Sequence, residues 1–223
     1  MAKYAIFLEM SGRRAVVIGG GAVAVRKAGS LLDAGARVVL VADRIEEART
    51  ALSGRRLVEL VEDKYSKRYL AGAVLAIAAT NDQQLNRQIY SDCQELEVLC
   101  NVVDDPELCD FYVPAVVRRG DLQIAVCTDG ACPAYAGHIK KKLERIFTDS
   151  HGLFLAELKQ LREQLLRQVP QAQVRKAVLG ELVEDGSMRY FIEHGAEKWR
   201  IFAAGVTERY VKQQEAGDAH GGG

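Results

Sequence analysis

The sequence predicts an α/β protein in which a doubly wound parallel sheet is followed by a short strand-and-helix segment and a helical C-terminal region. Three observations carry that expectation. Short β-branched runs alternate with helical stretches from Arg14 to about Asn101. A glycine cluster, Gly19-Gly20-Gly21, separates the first such run from the first helical stretch. Beyond Pro133 apolar residues recur at three- and four-residue spacing almost to the end of the chain.

Taken in order, the expected strands are Ala15–Ile18, Val38–Val41, Leu57–Val61, Val74–Ala78 and Val98–Cys100, with Tyr4–Leu8 as an extra edge strand. Their unbroken apolar character predicts burial on both faces. The first helix is expected over Val23–Asp33, where Ala24, Ala28 and Gly29 allow close packing on a sheet and Gly35 supplies the stop. Another is expected over Asp82–Leu96. Two further strands, Phe111–Val117 and Leu122–Val126, are expected to be joined by the polar turn Arg118-Arg119-Gly120-Asp121. Tyr135, Ile139, Leu143 and Ile146 then mark a helix, and Leu153–Gln168 and Trp199–Gln214 continue the pattern. The Gly-rich end from Glu215 to Gly223 cannot bury apolar surface and is expected to be disordered. The expected divisions are 1–113, 114–148, 149–214 and 215–223.

Composition narrows the function. The chain has 223 residues, 48% hydrophobic and 27% charged, the balance of an ordinary folded protein. Thirty Lys and Arg against thirty Asp and Glu leave no net charge, so no nucleic-acid or membrane partner is expected and any anionic ligand must be held locally. Five cysteines without a C-x-x-C pair argue for reduced thiols rather than a disulfide framework or structural zinc. The apolar run Ala5 to Leu8 is too short for a signal-peptide core or a membrane span, which leads us to expect a cytoplasmic protein. His138, His151, His194 and His220 have no metal-ligand spacing, and Trp199 and Tyr190-Phe191 read as packing.

Gly19-Gly20-Gly21-Ala22-Val23-Ala24 has the form G-x-G-x-x-A directly after a strand and at the opening of a helix, the Rossmann-type arrangement for a dinucleotide. Gly19 permits the tight turn. Gly21 lets backbone approach a pyrophosphate, which then meets the free N–H groups of Ala22 and Val23. Asp43, at the end of the second strand, is placed to accept hydrogen bonds from a ribose, which favours NAD over NADP. The neighbouring Arg44 is the kind of residue that accommodates a 2′-phosphate, but the acid decides the reading for NAD.

Three further segments carry a family resemblance. They are Ala78-Ala79-Thr80-Asn81-Asp82 after the fourth strand, Asn101-Val102-Val103-Asp104 after the fifth, and Thr128-Asp129-Gly130-Ala131-Cys132-Pro133 before a helix. With the glycine loop they resemble the bifunctional precorrin-2 dehydrogenase/sirohydrochlorin ferrochelatase family, the N-terminal region of sirohaem synthase. The resemblance runs from about Ile6 to Phe147 and weakens in the helical tail. It implies a homodimer built through a dimerisation segment, here 114–148, and NAD-dependent oxidation of precorrin-2 to sirohydrochlorin, followed in some members by Fe2+ insertion. Length leaves no room for a fused methyltransferase half, so another protein is expected to supply precorrin-2.

By that resemblance Asp104 is the catalytic base, and a hard oxygen ligand that could escort the metal if the chain is a chelatase. Its position after a parallel strand suits a ligand site; the alternative is an ordinary loop aspartate beside Pro106. Only one of Asp104 and Asp105 should face the macrocycle. Thr80 and Asn81 are expected along the nicotinamide half of the cofactor, with helix initiation as an equal alternative for Asn81. Thr128, Asn101 and Arg118 are the candidate substrate residues, and Thr128 could instead cap the following helix. A tetrapyrrole with eight carboxylates needs cations, which Arg119, Lys140, Lys141, Lys142 and Arg145 could also provide, although the lysines equally suit a solvated helix face. Two rivals remain: a regulatory NAD(H)-binding module, which would need no catalytic acid, and a small-metabolite dehydrogenase, for which no His, Tyr–Lys or Lys constellation is found.

Overall fold

Each β-branched run finds partners on both sides or covers a neighbour, and together they form one five-stranded parallel sheet in a computed structural model that describes residues 3–220, with backbone alone for 217–220. The strands are β1 (Arg14–Ile18), β2 (Arg37–Ala42), β3 (Val58–Glu62), β4 (Leu75–Ala78) and β5 (Leu99–Val102), in the order β3-β2-β1-β4-β5. The chain therefore moves outward from β1 to β3 and returns to β4, so the switch in direction falls between β1 and β4.

Alternate residues of the strands feed two cores. Ala15, Val17, Val38, Leu40 and Ile77 pack with Ala24, Ala28 and Leu32 of helix α1 (Ala22–Asp33) and Ala48 of α2 (Glu46–Ala51) on one face. Val16, Ile18, Ala76, Ala78, Cys100 and Val102 pack with Ile89 and Cys93 of α3 (Gln83–Glu95) on the other. Burial on both faces is what a continuous apolar strand demands. Helix α1 ends as expected: Gly35 takes φ +79°, and Ala36 N–H reaches back to the Leu31 carbonyl at 3.0 Å.

Three expectations are corrected. Tyr4–Leu8 forms no strand; Tyr4, Ile6, Phe7 and Leu8 are exposed. Both edges of β1 are occupied by β2 and β4, and the run finds no ladder partner. The hairpin consists of β6 (Ala115–Arg119) and β7 (Leu122–Val126), so Phe111 to Pro114 lie outside it and Arg118 and Arg119 belong to the strand. Pro114 lacks a ladder N–H, and Gly120 at φ +56° turns the chain with Asp121 alone between Arg119 and its partner Leu122. The expected disordered stretch from Glu215 is helical as far as His220, because each residue added to an existing helix closes another backbone bond; residues 221–223 lie outside the described residues.

The chain divides into two compact units, one made of the residues to Val113 with Asp129–Ala131, the other of Pro114–Thr128 and the residues from Cys132. The second contains the β6–β7 hairpin and helices α4 (Pro133–Ile146), α5 (Asp149–Gln168), α6 (Ala172–Leu182) and α7 (Asp185–His220), the last broken at Gly195, φ +81°. Its core gathers Phe154, Phe191 and Trp199 edge to face, and the buried Trp199 indole donates to Ser187 Oγ at 2.9 Å.

Candidate dinucleotide and active site

The C-terminal ends of β1 and β4 lie side by side, and the loops that leave them enclose a cleft of about 680 Å3. Gly19, Gly20 and Gly21 form its floor; Asp43 and Arg44 from the end of β2, Asp63 and Tyr65 from the end of β3, and Thr80, Asn81 and Asp82 from the end of β4 form its walls. Of the expected cofactor residues, Gly19, Gly21, Asp43, Arg44, Thr80 and Asn81 line this one cleft. Ala22 and Val23 open α1 beside it. The first helical bond recorded there runs from Val25 N–H to Gly21 O, so the N–H groups of Ala22 and Val23 have no helical acceptor and are available to an anion.

The three glycines have different jobs. Gly19 has φ +126°, and a Cβ there would lie 2.3 Å from the Ala79 carbonyl oxygen. A Cβ on Gly20 would lie 2.1 Å from the Arg44 carbonyl oxygen, a constraint that spacing in the sequence did not reveal. At Gly21 a Cβ would meet nothing within 4 Å, which leaves room for a ligand against the backbone. The strand-to-helix turn alone thus accounts for Gly19 and Gly20, whereas no contact among the described residues requires glycine at the third position.

The far wall is fixed by hydrogen bonds. Asp63 accepts from the Tyr69 hydroxyl at 2.5 Å, from Lys64 N–H at 2.8 Å and from Arg68 at 2.8 Å, and these donors, Tyr69 foremost, hold its carboxyl below the usual range. Tyr65 donates to the buried Asp92 at 2.9 Å; burial first and Asp92 second push the Tyr65 hydroxyl upward, so it remains protonated. Opposite, the Thr80 hydroxyl is 2.7 Å from Asn86 Oδ1, and Asn86 Nδ2 donates to the Thr80 carbonyl at 3.1 Å. Helix initiation belongs to Asp82, whose Oδ1 accepts from Gln84 and Leu85 N–H at 2.9 and 3.0 Å, and not to Asn81, which stays exposed in the cleft.

Asp104 follows β5 on the same edge of the sheet. Val103 N–H bonds to the Ala78 carbonyl at 2.9 Å, carrying the β4–β5 ladder to the residue just before it. The Asp104 side chain is exposed and its backbone is left-handed, φ +63°. Asp105 is half-buried, so Asp104 is the more open of the two carboxylates. Asn101 is 8% exposed and donates its amide to the Phe111 carbonyl at 2.9 Å and to Cys109 Sγ at 3.3 Å, fastening the segment after β5.

Thr128 and Arg118 belong to the other unit. Thr128 accepts from Cys132 N–H at 3.4 Å, next to the start of α4. Arg118 is exposed on β6 beside Gln123. Arg119 is half-buried and bridges to the Glu144 carbonyl and to Asp149, 3.3 Å each, tying the hairpin to α4 and α5. Lys141, Lys142 and Arg145 are exposed, while Lys140 faces Glu144 at 3.7 Å. Among the described residues no group of three or more His, Cys, Asp or Glu is arranged to hold a metal ion, and no helix is long and apolar enough to cross a membrane.

Comparison with known proteins supplies the family. Residues 6–115 match a family model described as "Putative NAD(P)-binding", and residues 119–146 match the sirohaem biosynthesis protein central model. The chain belongs to the sirohaem synthase family. It is 36% identical to a "Siroheme synthase" of Pseudomonas putida over 210 residues, 93% of this chain and 45% of the relative. It is also 36% identical to one of Psychrobacter arcticus over 152 residues, 68% of this chain and 28% of the relative. The chain thus spans less than half the length of these curated relatives. A solved structure described as "SirC, precorrin-2 dehydrogenase" superposes with a TM-score of 0.75 at 23% identity, over 92% of this chain and 100% of that one, a likeness of fold. Both family models fall on the segments that carry the resemblance, the second on the β6–β7 hairpin and α4.

Proposed function

We propose that this chain binds NAD in the glycine-loop cleft and oxidises precorrin-2 to sirohydrochlorin, with Asp104 as the base. The observation that carries the reading is the shared sheet edge: free helix N–H groups, the Asp43 carboxylate and the Asp104 carboxylate all stand at the C-terminal ends of the parallel strands of one unit. Ala22 and Val23 would hold the pyrophosphate, Asp43 the ribose hydroxyls, and Thr80 and Asn81 the nicotinamide half. Bound NAD+ supplies the hydride acceptor. Asp104 takes the proton lost with that hydride, so the substrate gives up two hydrogens and the products are sirohydrochlorin, NADH and a proton.

An exposed carboxylate on this edge favours the enzyme over a regulatory NAD(H)-binding module, which requires no acid there. The wider assignment is a cytoplasmic homodimer in which Thr128, Asn101 and Arg118 contact the substrate; sedimentation at the monomer mass would remove the dimer. Mixing the protein anaerobically with NAD+ and enzymatically generated precorrin-2 tests the activity: NADH and sirohydrochlorin should appear in equal amounts. No NAD-dependent conversion would overturn it. The chelatase role that the resemblance implies for Asp104 is checked on the same material, by adding Fe2+ or Co2+ to preformed sirohydrochlorin and comparing the wild type with Asp104→Ala.

A further inference from the structure

Lys27 lies on the second turn of α1, between the buried Ala24 and Ala28, and the core that takes in those two alanines also takes in Val103 and Phe111 from the segment after β5. The face of α1 next to Lys27 therefore shares a core with the segment that follows β5. Helical side chains lean toward the N-terminus of their helix, and the N-terminus of α1 is at the C-terminal edge of the sheet. The Lys27 stem therefore runs back toward the Asp104 edge.

Its electrostatic surroundings agree with this placement. Burial, the leading effect, together with neighbouring Arg26, pulls the Lys27 ammonium below the usual lysine range; Cys109 and Asp104 act weakly in the opposite direction. Among the described residues neither a hydrogen bond nor an ion pair is recorded for its nitrogen, so three donors lack an acceptor. The side chain is half-buried, yet its nitrogen is not among the fully enclosed side-chain atoms that lack a hydrogen-bond partner. A ligand can approach it.

A partly desolvated cation without an acceptor is costly unless an anion arrives to pair with it. Two anions are available under the reading above, the cofactor pyrophosphate and a substrate carboxylate. The pyrophosphate is accounted for by the first-turn N–H groups beside Gly21, whereas Lys27 is a turn further on, next to the alanines that share a core with Val103 and Phe111. We infer that Lys27 is an anchor for a carboxylate of the tetrapyrrole, holding the macrocycle edge beside Asp104. This rests on the proposed substrate class and adds to it the cation that fixes the orientation of the ring.

The test is titration of the full chain with sirohydrochlorin, followed by absorbance, alongside titration with NAD+. Lys27→Met should weaken sirohydrochlorin binding by about tenfold or more and Lys27→Arg should restore most of it, since a single charge-assisted contact is of that size. NAD+ affinity should stay at the wild-type value in both, which also certifies that the first unit is folded. Arg26→Met, removing the exposed neighbour, should leave both affinities unchanged. If Lys27→Met binds sirohydrochlorin as the wild type does, or loses NAD+ affinity instead, the anchor is refuted while the proposed function stands. If the wild type binds no sirohydrochlorin, the reading itself fails and the anchor with it. Should Lys27→Met not fold, Lys27→Gln takes its place under the same criteria.

Discussion

Asp104 combines an exposed carboxylate with a left-handed backbone, φ +63°, a conformation that carries about 1 kcal/mol of strain for a residue with a Cβ and none for glycine. The chain keeps the strain and gains a side chain at the strand end. Asp104→Gly should therefore leave the melting temperature equal or higher while NAD-dependent oxidation falls by roughly 10²- to 10⁴-fold, the usual worth of a general base. A fall in melting temperature with activity retained would show that the carboxylate is there for structure. This residue was legible because its motif resembles a known family, but its backbone was not, since φ is set by how the segment 105–110 folds back on β5. Lys27 was not legible at all. In the sequence it is one of thirty Lys and Arg, and only the packing of α1 distinguishes it.

At the scale of elements, the strand–loop–helix unit separates folding from binding within three neighbouring glycines. Gly20→Ala would drive a methyl into the Arg44 carbonyl and should destabilise the first unit by about 1–3 kcal/mol. Gly21→Ala meets open space and should leave thermal stability unchanged, yet raise the NAD+ dissociation constant at least about tenfold, because the methyl takes the room of the pyrophosphate. Unfolding scans and NAD+ titration distinguish the two; equal NAD+ affinity for Gly21→Ala would remove the pyrophosphate from this loop. In the second unit, Glu181 of α6 is held below its usual range first by Arg209 and also by Tyr210, both of α7. A depressed carboxyl stabilises the fold above its unfolded value and ceases to do so as pH falls through the folded one. The wild type should thus be more stable than Glu181→Gln near neutrality and lose that advantage below about pH 4.5, as acid-unfolding curves would show. The element pattern was readable because buried parallel strands are continuously apolar; the hairpin turn was not, because the pair Arg118-Arg119 looks like turn polarity until register places it in a strand.

For the whole molecule, the expected ligand site and the largest aromatic core fall in different units, and each should respond to its own perturbation. NAD+ at a hundredfold excess over the wild-type dissociation constant should stabilise the protein by about 2.7 kcal/mol, and a tenfold weaker Gly21→Ala should keep only about 1.4 kcal/mol of this at the same concentration. Trp199→Ala removes a side chain that is 1% exposed, along with its bond to Ser187, and should cost about 3–5 kcal/mol in the second unit while NAD+ affinity is retained. Circular dichroism melts read with and without NAD+ would check both.

By itself the sequence determined the α/β class, the alternation that builds the sheet, the glycine loop and the family, because periodicity and short-range motifs are properties of neighbouring residues. Only the tertiary structure decided that Tyr4–Leu8 has no strand to join, that Asp82 and not Asn81 caps α3, that the Asn101 amide fastens the segment after β5, and that Lys27 is half-buried without an acceptor among the described residues. Those outcomes depend on which groups meet across the sheet and between helix and strand, and a linear pattern carries no such distances.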